Sequence, residues 1–286
     1  MLLAAEIFSL RQKRPSAVGK KAAMTIAIGM PCYRGVIVAA DTQIAIDYTA
    51  QKGSKLIFFK GKSGAFAIAF ASDDVNASRT LINRIQRKLE ATPCADAIEL
   101  ESIVCSVMAD WSAAYVHGIP LPSMELILSS RLINDGARLY FCQPPATFVE
   151  QYAYVGAGIG TYVTNPLNTT LFGFADCTEV QAALRRVAYL MYRAKKDTTS
   201  CGKSTYCVVV SWNCDIPSIV NHLDFEIAEK YATELDFLFH STSSLYLGGE
   251  ESALETNAQG IADMFKGCAS FRTVQFHGVD GQVIKL

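Results

Sequence analysis

Thr25, Asp41 and Lys55 are the residues whose types and spacing suggest chemistry. Asp41 follows Thr25 by 16 positions (41 − 25) and Lys55 follows it by 30 (55 − 25). A hydroxyl, a carboxylate and an ammonium group can form a proton-transfer unit. The cation lowers the cost of removing a proton from a neighbouring hydroxyl or amine, and the carboxylate holds the cation in place. Spacing alone also allows a plainer reading, in which an aspartate ends a strand as a turn residue and a single lysine sits in solvent.

A hairpin would bring these groups together. TIAIGM (25–30) and GVIVAAD (35–41) are short β-branched runs separated by a turn that spans Pro31–Gly35. A hairpin returns the end of its second strand to the start of its first, so Thr25 and Asp41 would meet at one edge. KLIFF (55–59) and AFAIAFA (65–71), joined by GKSG, read as two further strands, and a third strand beginning at that edge would add Lys55.

Downstream, Asp73 reads as the N-cap of a helix with Leu81, Ile82, Ile85 and Leu89 on one face, closed by Pro93. A second helix carries Ile98, Ile103, Val104, Val107, Met108 and Trp111. Strands are predicted at 124–130, 137–143 and 148–156, a helical region over about 160–196, strands at 205–212 and 217–223, and a helix over 224–240. The tail reads as a helix near 250–266 and strands near 271–276 and 282–286. Runs of strands alternating with helix pairs suggest sheets packed face to face with helices outside. A doubly wound parallel sheet would need strict strand–helix alternation, which is missing. There is no internal repeat.

Composition narrows the function class. Of 286 residues, 50% are apolar and 19% charged, enough to bury a sizeable core and too ordered in character for a disordered chain. Net charge is −1, so no global basic field points to nucleic acid. No run of ~18 uncharged apolar residues suggests a membrane span. The nine cysteines form no CxxC pair and the four histidines show no ligand spacing, so no metal site is expected. Cysteines scattered through apolar segments suit a reducing compartment. At the N-terminus the positive charges follow the apolar part, the reverse of a secretory signal, so a cytoplasmic protein is expected. Residues 1–24 read as an extension or propeptide, 25–240 as the folded domain and 241–286 as a C-terminal extension.

TIAIGMPCYRGVIVAADTQ, KLIFF and AIAFASDD together resemble the start of a proteasome β subunit. They also resemble the peptidase subunit of the bacterial two-component ATP-dependent protease, notably in the Asp-x-Gln of Asp41–Gln43. The likeness continues at YVGAGIGTYV, similar to a Gly-Ser-Gly segment, and at RAKKDTTSCG, similar to Asp-x-x-Ser-Gly; it covers roughly 25–240. The resemblance implies an α+β fold, a four-layer αββα sandwich of the N-terminal-nucleophile hydrolase type. It implies a threonine peptidase in which the Thr25 hydroxyl attacks the scissile carbonyl and its own freed α-amine acts as base. Asp41 and Lys55 match the pair that tunes this centre, and Asp197 and Ser200 match its supporting Asp and Ser. No cofactor or metal is needed. The implied partners are a peptide or unfolded-protein substrate, further copies in a ring, and an ATP-dependent unfoldase.

The sequence departs from this pattern in four places. Met24 stands where self-cleaving members have Gly, which suggests that Met24 is an initiator removed by an aminopeptidase. Ala157 replaces the Ser of Gly-Ser-Gly, and a methyl cannot relay a proton. Ala69 or Phe70 replaces the glycine of the oxyanion loop; a backbone N–H survives either change. The segment 241–286 has no counterpart. A substrate strand would run near 43–45 and 69–71, with Ile44 and Ile68 nearest to a side-chain pocket. Two other functions fit the same residues: a non-catalytic structural or assembly subunit, and an amide hydrolase of this fold acting on small substrates.

Overall fold

The computed structural model describes residues 25–46, 49–115, 120–172, 179–199, 201–202, 204–213, 215–248 and 274–284. The fold is α+β, with two five-stranded antiparallel sheets. The first strands are β1 (Ala27–Cys32) and β2 (Gly35–Asp41), followed by a small hairpin of β3 (Gln43–Ile46) and β4 (Thr49–Lys52). Then come β5 (Leu56–Lys60), β6 (Gly64–Ser72), helices α1 (Val75–Ala91) and α2 (Ala97–Ala113), and strands β7 (Met124–Leu132), β8 (Gly136–Gln143), β9 (Thr147–Gln151) and β10 (Val155–Ala157). Helix α3 (Thr161–Leu167) runs into a π-helical turn, Asn168–Phe172, and is followed by α4 (Val180–Asp197), β11 (Thr205–Ser211), β12 (Ser218–Ile219) and α5 (His222–Gly248). The first sheet has the order β10-β1-β2-β11-β12 and the second β5-β6-β7-β8-β9.

Strand β6 shows why the core divides. In GAFAIAFAS, Ala65, Ala67, Ala69 and Ala71 join a cluster with Val36, Val38, Val208 and Val210 of the first sheet. Phe66, Ile68 and Phe70 point the other way, into a cluster with Leu81 and Ile85 of α1 and Val104 and Trp111 of α2. A period of two assigns small residues to one face and large ones to the other. A third cluster joins Ile28, Ile37 and Val209 of the first sheet to Leu184, Val187 and Met191 of α4 and Phe225 of α5. Val274, Phe276 and Ile284 of the C-terminal segment enter this last cluster, so part of 241–286 is built into the core.

Several sequence expectations shift. Asp74, not Asp73, caps α1, accepting from the amides of Asn76 and Ala77; Asp73 still donates to Ser123 O as a continuation of the β6–β7 ladder. Ile98 is 77% exposed, because the buried stripe of α2 runs through Leu100, Val104, Met108 and Trp111. The strand expected at 148–156 divides into β9 and β10, which belong to different sheets. The helix expected at 160–196 is two helices, and 173–178 lies outside the described residues. The strand expected at 217–223 is only β12, because α5 begins at His222; α5 also continues past 240. The helix expected near 250–266 falls outside the described residues. Where the tail strands expected near 271–276 and 282–286 fall among the described residues, they form isolated bridges, Val220 to Gly278 and His277 to Val283. The β3–β4 hairpin was not anticipated. No described helix is long and apolar enough to cross a membrane.

The spacing between the sheets has a local determinant. A Cβ added at Gly29 in β1 would stand 2.6 Å from Leu139 Cδ1 and 2.8 Å from Ile127 Cγ2, both from the second sheet. Gly29→Ala should therefore overpack the interface and cost about 1–3 kcal/mol of stability. Denaturant unfolding checks this, and a variant as stable as the parent would show that the sheets can move apart freely.

Candidate active site

Thr25 precedes β1, and the β1–β2 register carries it to Asp41. Ala27 stands opposite Ala40, and Asp41 N donates to Ile26 O at 3.1 Å. The Thr25 hydroxyl donates to Asp41 Oδ1 at 2.5 Å. Lys55 arrives by a different route from the one expected. It precedes β5, which lies in the second sheet, so the lysine reaches Thr25 across the interface and not along a shared edge. Lys55 Nζ donates to Thr25 Oγ1 and forms an ion pair with Asp41 Oδ1 at 3.0 Å. The stripe of alanines on β6 lets the second sheet approach closely enough for this contact.

All three side chains are buried: Thr25 is 1% exposed, Asp41 0% and Lys55 2%. Main-chain amides complete the carboxylate's shell, Ile26 N on Oδ1 at 3.2 Å and Gly202 N on Oδ2 at 3.3 Å. Burial pushes the Lys55 amine below its ordinary range, and the Asp41 charge and hydrogen bond pull it only partly back. A hydroxyl held between a carboxylate acceptor and an ammonium donor can lose its proton locally. The ammonium then faces the oxyanion that forms.

The other expected site residues divide. Ala157 lies in β10, buried, opposite Ala27 of β1, and so beside the centre, but its methyl supplies no polar group. Asp197 does not join the three. It ends α4 and accepts from Arg193 Nη2 at 2.8 Å, four residues back, within a network that includes Asp236. Ser200 lies outside the described residues. Ile44 stands in β3 opposite Gln51, and its side chain is likewise outside them. The two oxyanion amides are committed elsewhere. Phe70 N donates to Lys55 O at 3.1 Å, and Ala69 is a ladder residue between Leu56 and Ile127 in a strand paired on both sides. Ile68 faces the helices with Phe70, away from Thr25, so neither it nor Phe70 lines a pocket there.

Other residues do reach the centre. Cys201 is buried close enough for its charge state to couple to Asp41 and Lys55; burial pushes its thiol up to about 11. Gly202 contacts Asp41 as described, one position later than the Ser-Gly pattern implied. The Gly156–Gly160 loop wraps Thr25: Gly160 N donates to Thr25 O at 3.3 Å, and a Cβ on Gly158 would come within 2.4 Å of that same oxygen. Gly158 adopts φ +88°, which only glycine accommodates easily. Glu125 of β7 accepts from Gly158 N at 2.7 Å. Its signal was present in MELILSS, where a period of two puts Glu125 on the same face as Ile127. Among the described residues, no three His, Cys, Asp or Glu side chains are grouped to hold a metal ion.

Neither protein-family models nor curated protein sequences match this chain. Solved structures do. Anbu (ancestral beta-subunit) from Yersinia bercovieri aligns with a TM-score of 0.63 and 16% identity, over 76% of this chain and 97% of that one. The helical assembly of the Anbu complex from Pseudomonas aeruginosa gives 0.63 and 17%, over 76% and 96%. Anbu from Hyphomicrobium sp. strain MC1 gives 0.59 and 15%, over 77% and 97%. At these identities the likeness is one of fold. It corrects the resemblance read from sequence, which pointed to proteasome β subunits and the two-component protease subunit. The neighbours are Anbu proteins, and the two antiparallel sheets agree with theirs.

Asp41→Asn tests the electrostatics of the centre. Removing the carboxylate leaves a buried ammonium without its counter-ion, which should cost about 3–5 kcal/mol at neutral pH. The Lys55 amine should fall further, since the Asp41 charge was what raised it. The unfolded chain then binds the proton more tightly than the folded one, so the loss should shrink as pH climbs toward the ordinary lysine value of 10.5. Unfolding curves from neutral to alkaline pH measure this, and a pH-independent loss would contradict it.

Proposed function

We propose that the chain is a threonine-type peptidase subunit of a self-assembling, proteasome-like particle. The observation that carries this reading is the buried hydrogen-bonded set of Thr25, Asp41 and Lys55, joined from two sheets. We infer a four-layer αββα arrangement from the three core clusters, with residues 25–240 as the catalytic unit, Val274, Phe276 and Ile284 of the 241–286 segment packed into its core, and a removable 1–24 ahead of it.

The mechanism needs Thr25 at the chain start. Its free α-amine, with a pKa of about 8, then accepts the hydroxyl proton at neutral pH far more readily than an ordinary lysine amine would. The oxygen attacks the scissile carbonyl while Lys55 offsets the charge on Oγ1 and Asp41 holds Lys55. The amine returns the proton to the leaving nitrogen, leaving an ester on Thr25, and water releases it by the same route. Peptide or unfolded protein is the proposed substrate, delivered by an ATP-dependent unfoldase. Assembly follows from a head-to-tail interface: rotation that closes gives a ring, and rotation that does not gives a helix, as in the assembly of the P. aeruginosa neighbour.

A second reading, a non-catalytic subunit, is favoured by the engagement of Asp197 with Arg193 and the methyl at Ala157. One experiment separates the two. Mass spectrometry of the protein from its own host should give Thr25 as the first residue. That protein should be labelled by a threonine-directed electrophile and should hydrolyse peptides, and Thr25→Ala should lower hydrolysis at least about a thousandfold. Retention of residues 1–24 with no labelling would instead establish the non-catalytic reading.

A further inference from the structure

Thr25 is held from the second sheet by more than Lys55. The Gly156–Gly160 loop lies directly on the Thr25 main chain, with Gly160 N donating to Thr25 O and Gly158 packed too closely for any side chain. The loop's own turn is closed by Thr161, whose hydroxyl donates to Gly158 O at 2.6 Å. The Gly158 amide faces away from that turn, toward β7, where Glu125 accepts it. Glu125 stands opposite Ala71 in the β6–β7 ladder, and Ala71 Cβ itself abuts Gly158. One carboxylate thus ties the loop that grips Thr25 to the same sheet that supplies Lys55.

We propose that Glu125 is a positioning residue for the Thr25 reaction, fixing the Gly156–Gly160 loop, and through it the Thr25 backbone, at the distance from Lys55 that hydrolysis requires. The role answers a specific deficit. At Ala157 this chain has no hydroxyl to orient the nucleophile, and Asp197 is paired elsewhere. A charge-assisted bond donated by the Gly158 amide to Glu125 supplies the constraint by holding main chain. The groups around Thr25 are then Asp41 from β2, Lys55 ahead of β5, Cys201 after α4, and Glu125 from β7, which acts at one remove. Bond and register require an acceptor at Glu125 and do not require substrate to touch it.

This inference rests on the hydrolytic reading of Thr25, and its test keeps the two apart. Protein beginning at Thr25 is compared with its Glu125→Ala and Glu125→Gln variants, by peptide hydrolysis and by hydrogen exchange across residues 156–160. Glu125→Ala should lower kcat at least tenfold with KM within about twofold, since binding is untouched while the reacting geometry loosens. It should also speed exchange at the Gly158 amide. Glu125→Gln keeps an acceptor of the same reach, so it should recover most of kcat and restore protection. Parental kcat in Glu125→Ala would overturn the proposal, and so would a fall in kcat with Gly158 still protected. If the unsubstituted protein hydrolyses nothing, it is the Thr25 reading that fails, and unchanged exchange in Glu125→Ala would separately show that Glu125 does not hold the loop.

Discussion

The Lys55 amine is paired with the Asp41 carboxylate in a place where water scarcely reaches, and that one fact constrains the rest of the molecule. A buried ammonium is tolerated only when a counter-ion and acceptors surround it. Here the counter-ion, Asp41, comes from one sheet and the ammonium from ahead of a strand in the other. The pair therefore exists only when both sheets are formed and packed in register. The Thr25 hydroxyl sits between these two groups, so the reactive arrangement is a property of the whole interface and of no single element.

The interface is built to permit it. Alanines at 65, 67, 69 and 71 keep the face of β6 low, while the phenylalanines between them fill the helical side. Gly29 does the same for β1 beneath Leu139 and Ile127. Larger residues at these points would separate the sheets. The ammonium would then move away from its carboxylate, a change that weakens Coulomb attraction while leaving the desolvation cost in place. Packing and electrostatics are thus coupled at the same residues.

Much of this was legible in the sequence. GVIVAAD fixes β2 to its last residue, and AFAIAFA states by its alternation that β6 is buried on both faces. A hairpin closing 25–41 follows from local pattern, so the Thr25–Asp41 contact could be anticipated. The origin of Lys55 could not. Periodicity shows that KLIFF is a strand but not which sheet it joins, because sheet membership depends on long-range pairing that no local signal carries. The same limit explains why FVEQYAYVG read as one strand, when its two halves pair with β8 and β1. The roles expected of Asp197 and of the oxyanion positions come from the resemblance, not from any local pattern in this sequence. In this chain Asp197 pairs back along α4 with Arg193, and Gly202, one position later than the resemblance implied, contacts Asp41.

That substitution of parts follows a physical logic. Four N–H groups help orient the centre: Ile26 and Gly202 on Asp41, Gly160 on Thr25, and Gly158 on Glu125. A main-chain amide is present whatever side chain follows it, proline excepted, and its direction is set by the fold. A centre oriented in this way depends on loop conformation more than on side-chain identity. It can lose a serine at 157 without losing its geometry, provided the glycines at 158 and 160 keep their close approach to Thr25. In these two short loops a glycine at a positive φ and a carboxylate from the facing sheet stand where the resemblance implied side-chain hydroxyl and carboxyl groups.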